Sequence, residues 1–393
     1  DQQLIQGDRG NDTIRGGVGN EIIKGGDGND VLLGNGGTDE LRGGGQNDRL
    51  FGGSENDRLF GGSGNDVLRI SGSGAATLDG GEGSDTVLID LTNYTPEIQD
   101  FVTDVNLTTG LAGAVGVESP LADTLISIEN IDYRGPIASH LTGNAHDNTI
   151  SGGSGNDYID GSGGYDVLIG GEGNDVIKSN GDDRIVVDGG DDEFHTTSYG
   201  TELFFDHAEG WNRYGGGGDI ITVDLQNRVI DDGLGGTDVL VGDYGDFDLH
   251  FTDHSSVSIT GDTSDNYIYL GGGIGIADAT IDGGDGYDVV EFGSVFYQNR
   301  ILKDITNIIE NADGSLTLII SDEYNGASQQ TKTTIKSVEE IQILSVDQYG
   351  IYSTQNVLFD DIIEYFDGQQ PEPQPIDVTL TVRDRDGDVV SGF

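Results

Sequence analysis

"GGDGNDVLLG", residues 25–34, places four glycines, two aspartates and one asparagine in ten positions, with only Val31, Leu32 and Leu33 apolar. So little apolar surface cannot hold a segment together by itself. Repetition resolves the difficulty. From Gly7 to Arg69 the chain falls into seven consecutive nine-residue units without insertion: "GDRGNDTIR", "GGVGNEIIK", "GGDGNDVLL", "GNGGTDELR", "GGGQNDRLF", "GGSENDRLF" and "GGSGNDVLR". Position 6 is acidic in every unit (Asp12, Glu21, Asp30, Asp39, Asp48, Asp57 and Asp66), and position 8 is aliphatic in every unit (Ile14, Ile23, Leu32, Leu41, Leu50, Leu59 and Leu68). Self-similarity at a fixed period marks a solenoid built of stacked units.

Each unit explains its own residue types. Glycine permits positive φ and close backbone approach, so the first six residues read as a tight turn. Three residues remain for a strand, and alternation points the middle one inward. Positions 7 and 9 then face solvent, which suits Arg15, Lys24, Arg42, Arg49, Arg58 and Arg69. Strands this short make no stable hairpin, but they stack in parallel if the chain coils. With two units per turn, position 6 returns to the same edge every 18 residues. Asp12, Asp30, Asp48 and Asp66 form one column, and Glu21, Asp39 and Asp57 form the other.

Strands in such a stack lie ~4.8 Å apart. Two carboxylates at that spacing repel by about 0.9 kcal/mol in water and by several-fold more near a protein surface. One inward aliphatic group per unit, worth roughly 1.5–3 kcal/mol, offsets this poorly. A hard cation between successive turns removes the repulsion and engages turn carbonyls. Calcium suits the site because it takes 6–8 oxygen ligands in flexible geometry, whereas magnesium demands a stricter octahedron. A glycine-rich flexible linker would predict neither the period nor the phased aliphatic residue.

The units resemble the G-G-x-G-x-D-x-U-x nonapeptide of the repeats-in-toxin (RTX) family. The resemblance implies an all-β fold of calcium-bound parallel β-rolls, with multiple Ca2+ ions held by position-6 acids and turn carbonyls. It also implies bacterial origin, type I secretion, and folding outside the cell. Glu21 departs from the motif at position 6, and Gln46 and Glu55 depart from it at position 4.

Composition is consistent with this. Eighteen Lys+Arg against 71 Asp+Glu give a net charge of −53, which excludes nucleic acid as a partner. Such a charge with 67 glycines would suggest disorder unless a metal neutralised it. There is no cysteine, so disulfides and thiolate metal sites are excluded. No apolar run approaches a membrane span and no signal peptide begins the chain. The sequence lacks methionine and starts within a few residues of a repeat, as expected of a segment of something longer.

The first roll is expected over residues 1–91, loosening after Arg69 and recovering in "GGEGSDTVL" with Asp85. Residues 92–140 read as a capping β insert. A second roll over 141–199 holds "GNAHDNTIS", "GGSGNDYID", "GSGGYDVLI" and "GGEGNDVIK", with Asp157, Asp166 and Asp175 in its acidic columns. Asn148 weakens its first unit, and "SNGDDRIVV" keeps Asp183 while dropping a residue. Residues 200–299 read as a degenerate third roll with inserts, carrying Asp238 in "GLGGTDVLV" and Asp288 in "GGDGYDVVE".

Residues 300–366 are expected to form a β-rich cap. The two inserts share a pattern: "TLISIENIDY" (124–133) and "TIKSVEEIQI" (334–343) carry Thr, Ser, an aliphatic and Glu in register. Each follows an alternating strand-like stretch, and capping β-hairpins would protect open roll ends. Few helices are expected. "TPEIQDF" has Thr95 and Pro96 at a helix start, and "NVLFDDIIEYFDG" closes on Gly368. "DGQQPEPQP" lies in a stiff linker (367–376), followed by a strand and the acids Asp384, Asp386 and Asp388 (377–393). That tail resembles the opening strand of an adhesin β-sandwich module; the competing readings are an RTX secretion signal and a simple acidic tail.

No catalytic set is legible, since there is neither a G-x-S-x-G elbow nor an H-E-x-x-H helix. His250 and His254 lie four apart, but the alternation around them argues for a strand, where that spacing makes no metal pair. Trp211 with Phe204, Phe205 and Tyr214 suits a small core sealing an interrupted roll better than a sugar platform. The expectation is a non-enzymatic, calcium-dependent structural or adhesive segment of a secreted cell-surface protein. Its candidate partners are calcium, further copies of itself and cell-surface glycans. The alternative is the C-terminal secretion and folding region of an RTX exoenzyme or cytolysin.

Overall fold

The computed structural model describes residues 3–53, 55–70, 75–92, 102–115, 123–180, 182–196, 201–205, 220–231, 238–241, 247–251, 256–271, 278–293, 302–310, 315–324, 327–338, 340–346, 352–358 and 380–381. Every regular element among them is a strand. The chain divides into two compact units, residues 1–185 with 189–198, and residues 186–188 with 199–393.

In the first unit, two parallel sheets face each other across a narrow core. One sheet stacks Gln3–Arg9, Glu21–Asp27, Glu40–Gly45, Arg58–Ser63 and Thr77–Glu82. Its register sets Ile23 on Leu41, Leu41 on Leu59 and Leu59 on Leu78. The other stacks Thr13–Arg15, Val31–Asn35, Arg49–Gly53, Val67–Ile70 and Thr86–Asp90, with Leu32 on Leu50 and Leu50 on Leu68. These position-8 aliphatics are the fully buried core. Two nonapeptides therefore make one turn of a parallel β-roll.

Most of the stacked strands are longer than three residues, although Thr13–Arg15 keeps that length. Glu21–Asp27 runs from position 6 of one unit through position 3 of the next, and Gly26 pairs with Gly44 in the ladder. The turn is thus confined to the middle of the repeat, and the first glycines belong to the sheet. Their special requirement is one of shape. Positions 2 and 4 hold left-handed backbone: Gly26 at φ 125 and Gly28 at φ 143 in one unit, Gly62 at φ 123 and Gly64 at φ 124 in another. A Cβ on Gly26 would strike the Asp8 carbonyl of the turn below. Gln46 (φ 73) and Glu55 (φ 89) adopt the same region without being glycine, a strained choice for a residue with a side chain.

The insert within 92–140 is spliced into one sheet rather than placed over an open end. Val102–Asn106, Leu111–Val115 and Asp123–Ile126 form an antiparallel meander. Its last strand lies parallel to Thr77–Glu82, and its first lies parallel to Ser139–Thr142. In the facing sheet Thr86–Asp90 pairs with Asn130–Arg134, which pairs with Thr149–Gly153. The first and second rolls are therefore parts of one unit, because an antiparallel meander offers unpaired backbone at both outer strands.

The second unit repeats the plan. Thr201–Phe205, Phe247–Phe251, Tyr267–Gly271, Val289–Gly293 and Glu340–Val346 stack in parallel. Opposite them stack Ile220–Asp224, Ser256–Thr260, Asp278–Asp282 and Ala327–Lys336. A second meander, Leu302–Glu310, Leu316–Tyr324 and Ala327–Lys336, ends on one of these parallel rungs.

Two sequence expectations change. Asp238 begins a strand, Asp238–Val241, that runs antiparallel to Val229–Asp231, so "GLGGTDVLV" is a hairpin strand and not a nonapeptide rung. The side chain of Asp238 lies outside the described set. Asn356, Val357 and Leu358 end the strand Tyr352–Leu358 instead of opening a helix, because they pair with Glu340–Val346. His250 lies in a parallel strand, in register with Phe204 on one side and Tyr269 on the other, as the alternation of its sequence predicts. "TPEIQDF", His254, Trp211, Tyr214 and residues 359–379 and 382–393 fall outside the described residues.

Candidate metal centres

The position-6 carboxylates form two ladders along the edges of the first unit. On one edge the backbone N–H of Asp12 donates to Asp30 Oδ1 (2.7 Å), Asp30 N–H to Asp48 Oδ1 (2.8 Å), Asp48 N–H to Asp66 Oδ1 (2.7 Å) and Asp66 N–H to Asp85 Oδ1 (2.7 Å). On the other edge, Glu21 N–H donates to Asp39 Oδ1 (2.7 Å) and Asp39 N–H to Asp57 Oδ1 (2.8 Å). The second roll continues the pattern: Asp157 N–H donates to Asp175 Oδ1 (2.7 Å), and Asp166 N–H to Asp183 Oδ1 (2.9 Å). One oxygen of each acid thus locks the turn before it.

The other oxygen is left over. Oδ2 of Asp30, Asp39, Asp48, Asp66, Asp85, Asp157, Asp166 and Asp175 is buried and has no hydrogen-bond partner. A buried carboxylate oxygen in that state costs several kcal/mol unless a charge compensates it. Each points into a prepared space. A Cβ on Gly43 would overlap both Asp48 Oδ2 and the Gly61 carbonyl, and a Cβ on Gly61 would overlap Asp66 Oδ2 and the Gly80 carbonyl. Glycine at position 1 is required because the carboxylate oxygen and a carbonyl oxygen of the next turn converge on its missing side chain. Converging hard oxygens without donors are a cation's ligand set, and their irregular mixture of carboxylate and carbonyl fits calcium.

Burial also raises the carboxyls' proton affinity. Asp48, Asp166 and Asp175 are pushed up to about 7, and Asp39, Asp85 and Asp157 to about 6, desolvation outweighing the backbone hydrogen bond each accepts. Neighbouring carboxylates add to the rise, as Asp66 and Asp30 do for Asp48. A resident cation would reverse this.

The sites read from the sequence are not equivalent. Asp12 lies at the first rung and Glu21 reaches back so that its Oε2 accepts the Gly17 N–H (3.0 Å). Asp183 has both oxygens engaged in turn hydrogen bonds, Oδ1 accepting the Asp166 N–H (2.9 Å) and Oδ2 the Asn180 N–H (3.1 Å). Asn148 is a neutral rung: its Nδ2 donates to the Glu129 carbonyl (2.7 Å) and its Oδ1 accepts the Asn144 N–H (2.8 Å). In the second unit Asp288 is fully buried, and its Oδ1 accepts the Asn266 N–H (2.9 Å).

Three features escaped the sequence reading. Asp123 and Asp192 extend the ladder, accepting the N–H of Ala76 (2.7 Å) and Asp175 (2.8 Å). Only register could reveal Asp123, which lies 47 residues from its partner. A second ladder runs through position 5 with opposite polarity. Asn29 N–H donates to Asn11 Oδ1 (2.9 Å), Asn47 N–H to Asn29 Oδ1 (3.0 Å) and Asn65 N–H to Asn47 Oδ1 (2.9 Å). The recurrence of asparagine at that position was its visible signal.

A two-layer parallel β-roll with carboxylate ladders along its turn edges defines a class of metal-site solenoid. The family described as RTX calcium-binding nonapeptide repeat (4 copies) matches residues 3–32, 33–68, 70–88 and 142–177. The chain therefore carries RTX calcium-binding repeats. No curated protein matches it.

Proposed function

We propose that this chain is a calcium-dependent structural or adhesive segment of a secreted bacterial cell-surface protein, folding when it meets extracellular calcium. The observation that carries the reading is the row of buried, partnerless Oδ2 atoms facing turn carbonyls. Calcium, when bound, supplies the positive charge and open coordination sphere that such oxygens need. The residues that would hold it are Asp30, Asp39, Asp48, Asp57, Asp66 and Asp85 in the first roll and Asp157, Asp166 and Asp175 in the second, with Asp12 and Glu21 at the starting rungs and Asp288 in the second unit.

A net charge of −53 keeps the calcium-free chain extended through self-repulsion. Burial of position-8 aliphatics follows once the columns are neutralised, so binding energy becomes folding energy. The rolls then act as stiff spacers, and no catalytic role is assigned to any residue. Among the described residues, no helix is long and apolar enough to cross a membrane.

The test is circular dichroism of the purified chain in chelator and in millimolar calcium. The reading requires a mostly disordered spectrum converting to β-structure. A full β-signal in chelator would overturn it, and hydrolase or lyase turnover by the purified chain would overturn its non-enzymatic part.

A further inference from the structure

The Asp12–Asp85 column does not stop where the nonapeptides stop. After Asp85 the next rung of that edge is supplied from the far side of the meander by Ser127, Ile128 and Glu129. Glu129 Oε2 accepts the Asp85 N–H (2.8 Å), the service that each position-6 aspartate performs for the rung before it. Glu129 N–H in turn donates to the Asp85 carbonyl (3.1 Å). Ser127 adopts φ 49, left-handed backbone in a residue with a side chain. This turns its carbonyl toward Gly80, where a Cβ would overlap both Ser127 O and Asp85 Oδ2. Asp85 is fully buried and its Oδ2 has no partner. The Ser127 carbonyl therefore stands where Gly80 stands for Asp66.

The arrangement recurs in the second unit. Ser337 adopts φ 51, and a Cβ on Gly283 would overlap the Ser337 carbonyl and lie 2.6 Å from Asp288 Oδ2. Val338 is buried like Ile128. Ser127–Glu129 and the Ser337 corner both lie outside every stretch matched by the repeat family.

We propose that the Ser127–Glu129 corner is a calcium site of its own kind, formed by the Asp85 carboxylate, the Ser127 carbonyl and the Glu129 carboxylate, and that the Asn148 amide terminates the ion column beyond it. A three-residue corner replaces a whole glycine turn, so the meander is tied into the roll by the same metal that holds the nonapeptides. Beyond Glu129 no further ion is needed, because Asn148 Nδ2 donates to the Glu129 carbonyl where the other rungs present a second oxygen. The inference rests on the calcium reading above and extends it to residues with no repeat signature.

The experiment counts calcium bound by the full chain, by calorimetric titration and native mass spectrometry, for the parent and three variants. Asp85→Asn should bind one calcium fewer and stay folded, since its amide can reach the Ser127 carbonyl as that of Asn148 reaches Glu129. Asn148→Asp should bind one calcium more. Asp48→Asn, inside the nonapeptides, should also lose calcium. An unchanged count in Asp85→Asn and in Asn148→Asp, beside a loss in Asp48→Asn, overturns the corner site and leaves the repeat sites standing. An unchanged count in all three overturns the calcium reading and the corner site with it. Should Asp85→Asn fail to fold, the gain in Asn148→Asp decides alone.

Discussion

The backbone N–H of Asp30 donates to Oδ1 of Asp48, 2.8 Å away and 18 residues along the chain, while Oδ2 of the same Asp48 has no partner. One side chain thus carries both the adhesion between turns and the demand for a cation. The consequences can be measured separately.

Calcium should act as a folding switch and magnesium should replace it poorly, because the converging carboxylate and carbonyl oxygens are irregular in number and kind. Titrating each ion into the chelated chain, with β-structure read by circular dichroism, checks this. Equal midpoints for the two ions would contradict it.

Asp48→Ala removes the acceptor for the Asp30 N–H and the orphan oxygen together, so it should cost about 1–3 kcal/mol from the unpaired amide alone and also weaken calcium binding on both sides. Asp12→Ala, at the first rung, should lose less, since an end unit has one neighbour. Comparable losses in the two variants would argue against a stacked column. His250→Ala should leave calcium binding unchanged.

Acid should partly substitute for calcium. Burial pushes Asp48 to about 7 and Asp39 to about 6 in the folded chain, against roughly 4 for an unfolded aspartate. A carboxyl raised on folding contributes stability that is fully present below the unfolded value and lost as pH rises through the folded one. The chelated chain should therefore hold more β-structure near pH 4 than at pH 7.5. With calcium present the sign reverses, because the bound carboxylates must be ionised, and apparent affinity should fall as pH drops below about 7. A pH-independent spectrum in chelator would refute the first half.

Glu55→Gly should stabilise the first roll by about 1 kcal/mol. It relieves left-handed backbone at φ 89, a strain of about 1–3 kcal/mol against glycine's entropic penalty of roughly 0.5–1. It also removes a charge that raises Asp57 and Asp39. Thermal melts in saturating calcium check the sign.

Asn47→Ala should separate the two ladders. It removes the acceptor for the Asn65 N–H (2.9 Å) at an exposed site, so it should cost about 0.5–1.5 kcal/mol. Calcium stoichiometry should not change, because position 5 contributes no orphan oxygen. A lost ion would place position 5 inside the metal sites.

Much of this molecule was legible in one dimension. The period of nine with an aliphatic at position 8 dictated a parallel two-layer roll, because a strand that buries one side chain is stable only when stacked on copies of itself. Asp30, Asp48 and Asp66 were readable as a column for the same reason: 18 residues is one turn, so local spacing determined long-range contact.

Where spacing was irregular, only the tertiary structure could decide. Asp123 and Glu129 join the ladders 47 and 44 residues from their partners, across a meander whose length has no relation to the period. Asp238 shows the converse, since its local pattern fits a rung but its strand pairs antiparallel with Val229–Asp231. Asn148 and Asp183 sit at acidic-column positions yet have both side-chain polar atoms hydrogen-bonded, a distinction made by whether Asn144, Asn180 and Glu129 reach them. Repeat sequence determines what contacts repeat; the ends and splices of a roll depend on which strand edge is left open, and that is settled only when the backbone hydrogen bonds have been made.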